Sequence, residues 1–123
     1  MDTSSSAVTI ESVRLALGAA SLRQAVTASN IANASSPDHV RMRVDFEQQL
    51  ASALAEAGHD PAQAMAALGG VQPQVLPSDN TGPVSLDQEM VELSSNTLRY
   101  QALSRGLARY LSIAGAIASA TKG

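Results

Sequence analysis

The chain has 123 residues, a net charge of −3 at pH 7 and no cysteine. This length allows one domain, and the lack of cysteine excludes disulfide bonds and thiolate metal sites. The eight basic residues are spread singly along the chain, so the clustered positive charge typical of nucleic-acid-binding proteins is missing.

The apolar residues are mostly small. They make up 45% of the chain, but aromatic residues make up only 2%. Small side chains bury little apolar surface each, so we expect an isolated monomer to be only marginally stable.

The N-terminal residues 1–7 are rich in serine and predict a flexible start. They carry Asp2 in place of the Lys or Arg of a signal peptide, and no apolar stretch of signal-peptide length follows. The most apolar tract, residues 107–120, includes Arg109 and is shorter than the roughly 20 residues that cross a bilayer. We therefore expect no general secretion signal and no membrane insertion.

A first long helix is predicted from about residue 8 to residue 32, within a unit that spans residues 8–34. Apolar residues recur there at the spacing of helical turns. Asn30 and Asn33, which tolerate the left-handed backbone conformation, and then Pro37, mark the end of this helix. The residues of its apolar face that we expect to contact neighbours are Leu17, Leu22 and Val26.

Residues 35–84 form a middle segment in which the sequence patterns for helices and strands are weaker. Apolar and polar residues alternate over residues 39–46, which favours a strand with one buried face, although an exposed loop gives the same pattern. Residues 71–83 contain three prolines and allow an edge strand at best.

Two short helices are predicted within that segment. Residues 47–57 favour a helix that Gly58 can end, and Asp60 can cap a short turn that continues to Leu68. Because ordering a chain costs about 1–2 kcal/mol per residue, we expect the middle segment to be irregular and partly mobile without a surface to lie on.

The last third, residues 85–123, is predicted to hold one amphipathic helix from Ser85 to Ala120. Ser85 and Gln88 have the spacing of a capping box, and the acidic residues Asp87, Glu89 and Glu92 are expected to be solvated in the first turns. A helix about 50 Å long needs another long helix to cover its apolar side. Its expected assembly stripe consists of Leu86, Met90, Leu93, Tyr100, Leu103, Leu107 and Leu111.

These elements predict a mainly α fold. Two long terminal helices form a coiled-coil-like antiparallel pair, joined by an irregular middle with a possible short β segment. No catalytic pattern is present: His39 and His59 have no spaced His or Cys partner and are expected to be ordinary surface residues, and no phosphate-binding loop occurs. We expect a protein that is not an enzyme and holds no cofactor or metal.

One motif stands out at the end of the first helix. Its residues are Asn30, Ile31, Ala32, Asn33 and Pro37, followed by Asp45 and Phe46. The pattern resembles the signature of the flagellar basal-body rod family, in which an Asn, an apolar residue, Ala and Asn precede a Thr-Pro-Gly-Tyr turn. Here Ser36, Asp38 and His39 occupy the places usually held by Thr, Gly and Tyr. The similarity covers roughly residues 15–44 and 84–113 and is greatest to the proximal rod members.

This resemblance implies a structural subunit of the proximal rod in the bacterial flagellum. Such a subunit is exported by the flagellar type III apparatus without a cleaved signal and assembles in the periplasm. Its partners would be copies of itself, other flagellar rod proteins and the proteins that join the export gate to the rod.

Two other functions fit the amphipathic helices. A soluble helical adaptor, such as an export chaperone, would use the C-terminal stripe to bind a partner helix. A membrane-surface binder is the weaker hypothesis, because the Lys- and Arg-rich polar face of such helices is missing.

Overall fold

The computed structural model describes residues 3–79 and 82–122. In chain order its elements are α1 (Thr3–Ala32), β1 (Met42–Asp45), α2 (Glu47–Ala57), α3 (Pro61–Leu68), β2 (Gln74–Pro77) and α4 (Leu86–Lys122). The predicted fold class is confirmed: the chain is mainly helical, the two long terminal helices pack together, and a short antiparallel sheet lies between them in the sequence.

Helices α1 and α4 run antiparallel. Near the end of α1, Asn30 meets Glu89 in the first turn of α4, while Gln24, farther back in α1, meets Thr97. Still farther back, the Ala20 carbonyl accepts a hydrogen bond from Asn96. Ala20 is 1% exposed, and its small side chain allows the two backbones to approach closely at this level.

The ends of both long helices differ from the prediction by a few residues. Helix α1 begins at Thr3, so residues 3–7, which were predicted to be flexible, are helical, and Met1 and Asp2 lie outside the described residues. The start of α1 has a surface to lie on, because Ser5 and Val8 line a cleft with the α2–α3 connection. The predicted cap of α4 is confirmed, since the Gln88 N–H donates to Ser85 Oγ at 3.4 Å.

The middle segment is regular over more of its length than its glycines and prolines predicted. Strands β1 and β2 pair antiparallel, with Met42 opposite Pro77 and Asp45 opposite Gln74. Both short helices between the strands are present, and their predicted boundaries are confirmed: Gly58 ends α2 with a φ of 63°, and the Asp60 carboxylate caps α3. Helix α1 supplies the surface on which β1 and α3 lie.

The main apolar core forms where the sheet meets α1. Val44 and Phe46 are buried, as the alternation in residues 39–46 predicted, and they cluster with Ala19 of α1 and Val71. Val40, which shares the same alternation, is 60% exposed because it precedes the paired part of β1. The half-buried side chains that pack around this cluster are Leu15, Ala16, Leu22, Val26, Leu50 and Ala53.

Truncating the single phenylalanine should therefore be costly. We expect Phe46→Ala to lower the free energy of unfolding by about 3–5 kcal/mol, because Phe46 is 3% exposed and its loss leaves a cavity. Urea unfolding followed by circular dichroism measures this. Val40→Ala is the control and should change stability by less than about 0.5 kcal/mol; equal effects of the two substitutions would contradict the assigned core.

Candidate functional site

Asn30 is the residue of the turn motif that is most deeply buried. It lies in the last turn of α1, is 1% exposed, and its amide faces Met42 of β1. Its Nδ2 donates to the Met42 carbonyl at 2.9 Å, and its Oδ1 accepts from the Met42 N–H at 3.1 Å. One side chain thus satisfies both backbone groups of one strand residue, which fixes β1 against the end of α1.

The turn after α1 is made without a left-handed residue, so the prediction for the asparagines was wrong in this respect. No non-glycine residue in the described ranges has a positive φ. Asn33 instead donates from Nδ2 to the Ser29 carbonyl at 2.8 Å, which satisfies a carbonyl that the helix end leaves free. Asp38 therefore needs no left-handed conformation at the place where the rod family has glycine.

His39 joins this site, although the sequence predicted an ordinary surface histidine. Its Nε2 lies 3.1 Å from Asn30 Oδ1, and the ring is half-buried. Since that oxygen can only accept, Nε2 of His39 carries a proton and donates. His39 thus holds the buried asparagine in its orientation.

Glu89 is buried at the same level of the helix pair, so the prediction that it is solvated was wrong. It is 1% exposed, forms an ion pair with Arg41, and accepts from Asn30 Nδ2 at 3.4 Å. Arg41 also donates to Ser78 Oγ at 2.8 Å. The buried polar network therefore joins α1, β1, the segment after β2, and α4, through Asn30, His39, Arg41, Ser78 and Glu89.

A second polar contact joins α1 and α4 two turns farther along α4. Asn96 is 3% exposed and donates from Nδ2 to the Ala20 carbonyl at 2.7 Å and to Gln24 Oε1 at 2.9 Å. Gln24 in turn donates to Thr97 Oγ1 at 3.2 Å. Asn96 Oδ1 is buried without a hydrogen-bond partner among the described residues.

The face of α4 that packs on α1 is rotated from the predicted stripe. Glu89, Asn96 and Leu103 follow one another at intervals of seven residues on the inner face, and two of the three are polar. A search for apolar residues alone passes over this face. Every face of a long helix repeats at about seven residues, so the spacing alone does not distinguish this face from the others.

The members of the predicted assembly stripe consequently fall into two groups. Half-buried members contribute to packing within the chain: Leu17, Leu22 and Val26 of α1, and Leu93, Leu103 and Leu107 of α4. Four members are 44–51% exposed and lie along one side of α4, and we call them the apolar flank: Leu86, Met90, Tyr100 and Leu111.

The other residues of the turn motif lie around this site. Ile31 is half-buried, whereas Ala32 and Pro37 are exposed. Asp45 ends β1, and its carbonyl and carboxylate both lie 3.3 Å from Nε2 of Gln49, which donates to them. The motif residues from Asn30 to Pro37 therefore lie at the end of α1, whereas Phe46 belongs to the core cluster with Ala19, farther back along this helix.

An open groove of about 560 Å³ lies between α1, α2 and α4. Its apolar lining includes Phe46, Leu50 and Leu103, and its charged lining includes Glu47 and Arg99. Arg23 Nη2 lies 2.9 Å from one Glu47 oxygen, and Arg99 Nη1 lies 4.0 Å from the other. Partial burial acts to raise the pKa of Glu47, but the Arg23 hydrogen bond, a backbone hydrogen bond and the two positive charges together hold it below its ordinary value of 4.5.

Within residues 3–79 and 82–122, no set of three histidine or carboxylate side chains is arranged to hold a metal ion. None of the helices in these ranges combines the length and the apolar character that crossing a membrane requires.

Comparison with known proteins gives no family assignment, because no protein-family model and no curated protein sequence matches this chain.

We expect the Arg41–Glu89 pair to be strongly coupled. Arg41→Met should lower the free energy of unfolding by about 3 kcal/mol, since it leaves the buried Glu89 without its partner; Glu89→Leu should cost less, because Arg41 is partly exposed, and the double variant should recover a large part of the Arg41→Met loss. Chemical unfolding of all four proteins measures the coupling. Glu92→Gln, at an exposed site one turn away, is the control, and additive losses in the double variant would contradict the coupled pair.

The Glu47 contact should make a small contribution to stability that depends on pH. Because its pKa is lower in the folded state, the contribution is complete above pH 4.5 and is lost as the pH falls through the folded-state value. It should stay below about 1 kcal/mol, since the Glu47 side chain is 61% exposed. The stabilities of the wild type and Glu47→Gln should differ at about pH 7, and the difference should disappear as the pH falls below the folded-state pKa of Glu47; a difference that persists unchanged in acid would contradict this contribution.

Proposed function

We propose that this chain is a structural subunit of the proximal rod in the bacterial flagellar basal body, and that it has no enzymatic activity. The observation that carries the proposal is the position of Asn30. This residue of the rod-family motif is the centre of the network that fixes α1, β1 and α4 relative to one another. A motif that defines the geometry of the two terminal helices suits a protein whose terminal helices assemble.

The apolar flank supports a role in assembly. Its four side chains extend from Leu86 to Leu111, about 37 Å along α4, and they are half-exposed in the isolated chain. A second long helix laid along this side would bury them. Contacts between unlike surfaces of successive subunits build an open helical assembly when the rotation between subunits does not close into a ring.

The proposed location is the periplasmic rod, reached through the type III export apparatus. In this position the chain would contact copies of itself, other flagellar rod proteins and the proteins at the junction with the export gate. Its packed helices would transmit torque. The middle segment, which lies on α1 in the isolated chain, would face adjacent rod components or the surrounding shell.

A soluble adaptor, such as an export chaperone, is the second candidate, and the groove is the observation that favours it. The groove combines an apolar lining of Phe46, Leu50 and Leu103 with arginine and glutamate side chains at its edges. An amphipathic helix of a partner can place its apolar face in such a groove. The two functions predict different phenotypes when the gene is deleted.

The first test is gene deletion in the source bacterium, scored by swimming and by the presence of rods in isolated basal bodies. We expect non-motile cells with membrane rings but no rod, restored by the wild-type gene. Motile cells with intact rods and hooks would contradict the rod function, and a defect in the export of one partner, with rods still formed, would favour the adaptor.

Complementation with variants of the apolar flank makes the test specific. Met90→Asp and Leu111→Asp place a charge on exposed positions, so each should change the stability of the isolated chain by less than about 0.5 kcal/mol yet abolish rod assembly. These variants separate assembly from folding better than Leu93→Asp or Leu107→Asp do, because Leu93 and Leu107 are half-buried within the chain and their substitution also affects its folding. Ser95→Asp, on the opposite side of α4, is the control and should restore swimming.

A further inference from the structure

The side of α4 that points away from α1 carries an uncovered apolar pair. Val91 is 68% exposed and Leu98 is 66% exposed, the two highest values among the large apolar side chains of the described residues. They are seven residues apart, so they lie one above the other on the same side of the helix. The buried residues Glu89 and Asn96 lie on the opposite side.

Charged residues of opposite sign flank this pair. Asp87 lies four residues before Val91, and Arg105 lies seven residues after Leu98, on the same side of α4. Both are exposed, and neither forms an ion pair within the part of the chain that the structure describes. We call Asp87, Val91, Leu98 and Arg105 the outer face of α4.

The outer face is complementary to itself when two copies meet antiparallel. The midpoint of Asp87 and Arg105 is Asn96, and the midpoint of Val91 and Leu98 lies between residues 94 and 95. With the two-fold axis at the midpoint of Val91 and Leu98, Asp87 and Arg105 of the second copy are offset by three residues, about 4.5 Å along the axis, which an arginine side chain spans. One two-fold axis therefore places Val91 against Leu98 of the second copy and Asp87 close to its Arg105.

A parallel arrangement of two α4 helices cannot bring the apolar residues together and pair the opposite charges at the same time. Without an offset it places Asp87 beside Asp87 and Arg105 beside Arg105, which is unfavourable for like charges. An offset that pairs Asp87 with Arg105 moves Leu98 away from both apolar residues of the other copy. The order of charge and apolar groups thus selects the antiparallel pair.

We propose that a second copy of this chain docks antiparallel on the outer face of α4 and forms a symmetric dimer. Such a contact closes on itself, so it does not propagate into a filament. It uses a side of α4 different from the apolar flank and does not depend on the rod function. Because the contact is short and its ion pairs are exposed, the dimer is weak and is favoured by low salt.

Charge reversal tests the proposal on the purified full-length chain. Sedimentation velocity over an about hundredfold concentration range should show a monomer–dimer equilibrium that high salt weakens. Asp87→Arg and Arg105→Asp should each weaken the dimer at least about tenfold, since each variant places like charges together, and the double variant should restore it because the opposite charges are exchanged. Restoration cannot come from folding, because the double variant keeps any damage that Asp87→Arg does to the start of the helix.

Two further variants separate the outer face from the rest of α4. Leu98→Asp should abolish the dimer, whereas Leu111→Asp, on the apolar flank, should leave it unchanged. Circular dichroism confirms that each variant is folded. A wild type that stays monomeric at every concentration, an association that Leu98→Asp leaves unchanged, or a double charge reversal that fails to restore association would each overturn the proposal.

Discussion

The pairing of the Asn30 amide with both backbone groups of Met42 is the contact on which the rest of the structure depends. It ends α1 at a defined place and starts β1 at a defined angle to it. The same amide reaches Glu89, so the first turn of α4 is fixed by the residue that fixes the strand. Without this contact, a chain with few large apolar side chains would have few interactions that favour one arrangement of its helices over another.

The Arg41–Glu89 ion pair adds a directional contact where the core is thin. Removing two charges from water is costly, and the attraction between them compensates only when the remaining polar groups also have partners. Asn30 and Ser78 supply such partners. We infer that in this chain, which buries little apolar surface, the network contributes more to the choice of one fold than to the total stability.

Most helices were predictable because their signals are local. Ser85, Gly58 and Asp60 mark helix ends through their own backbone or side-chain chemistry, and periodicity identified α1 and α4. The burial of Glu89 was not predictable in this way, since its partner Arg41 lies 48 residues away in the sequence. The inner face of α4 was missed for the same reason: Asn96 is an acceptable core residue only because Ala20 and Gln24 are placed to receive its hydrogen bonds. The rotation of α4 then decided which stripe residues remained exposed.

The two levels of polar contact between α1 and α4 have a mechanical consequence. Small apolar side chains define the register of two helices only weakly, but the hydrogen bonds from Asn30 and Asn96 exist in only one register. A slip of a single helical turn, about 5.4 Å, would break the hydrogen bonds of both asparagines at once. We therefore expect the helix pair to resist shear along its length more than its apolar contacts alone would allow.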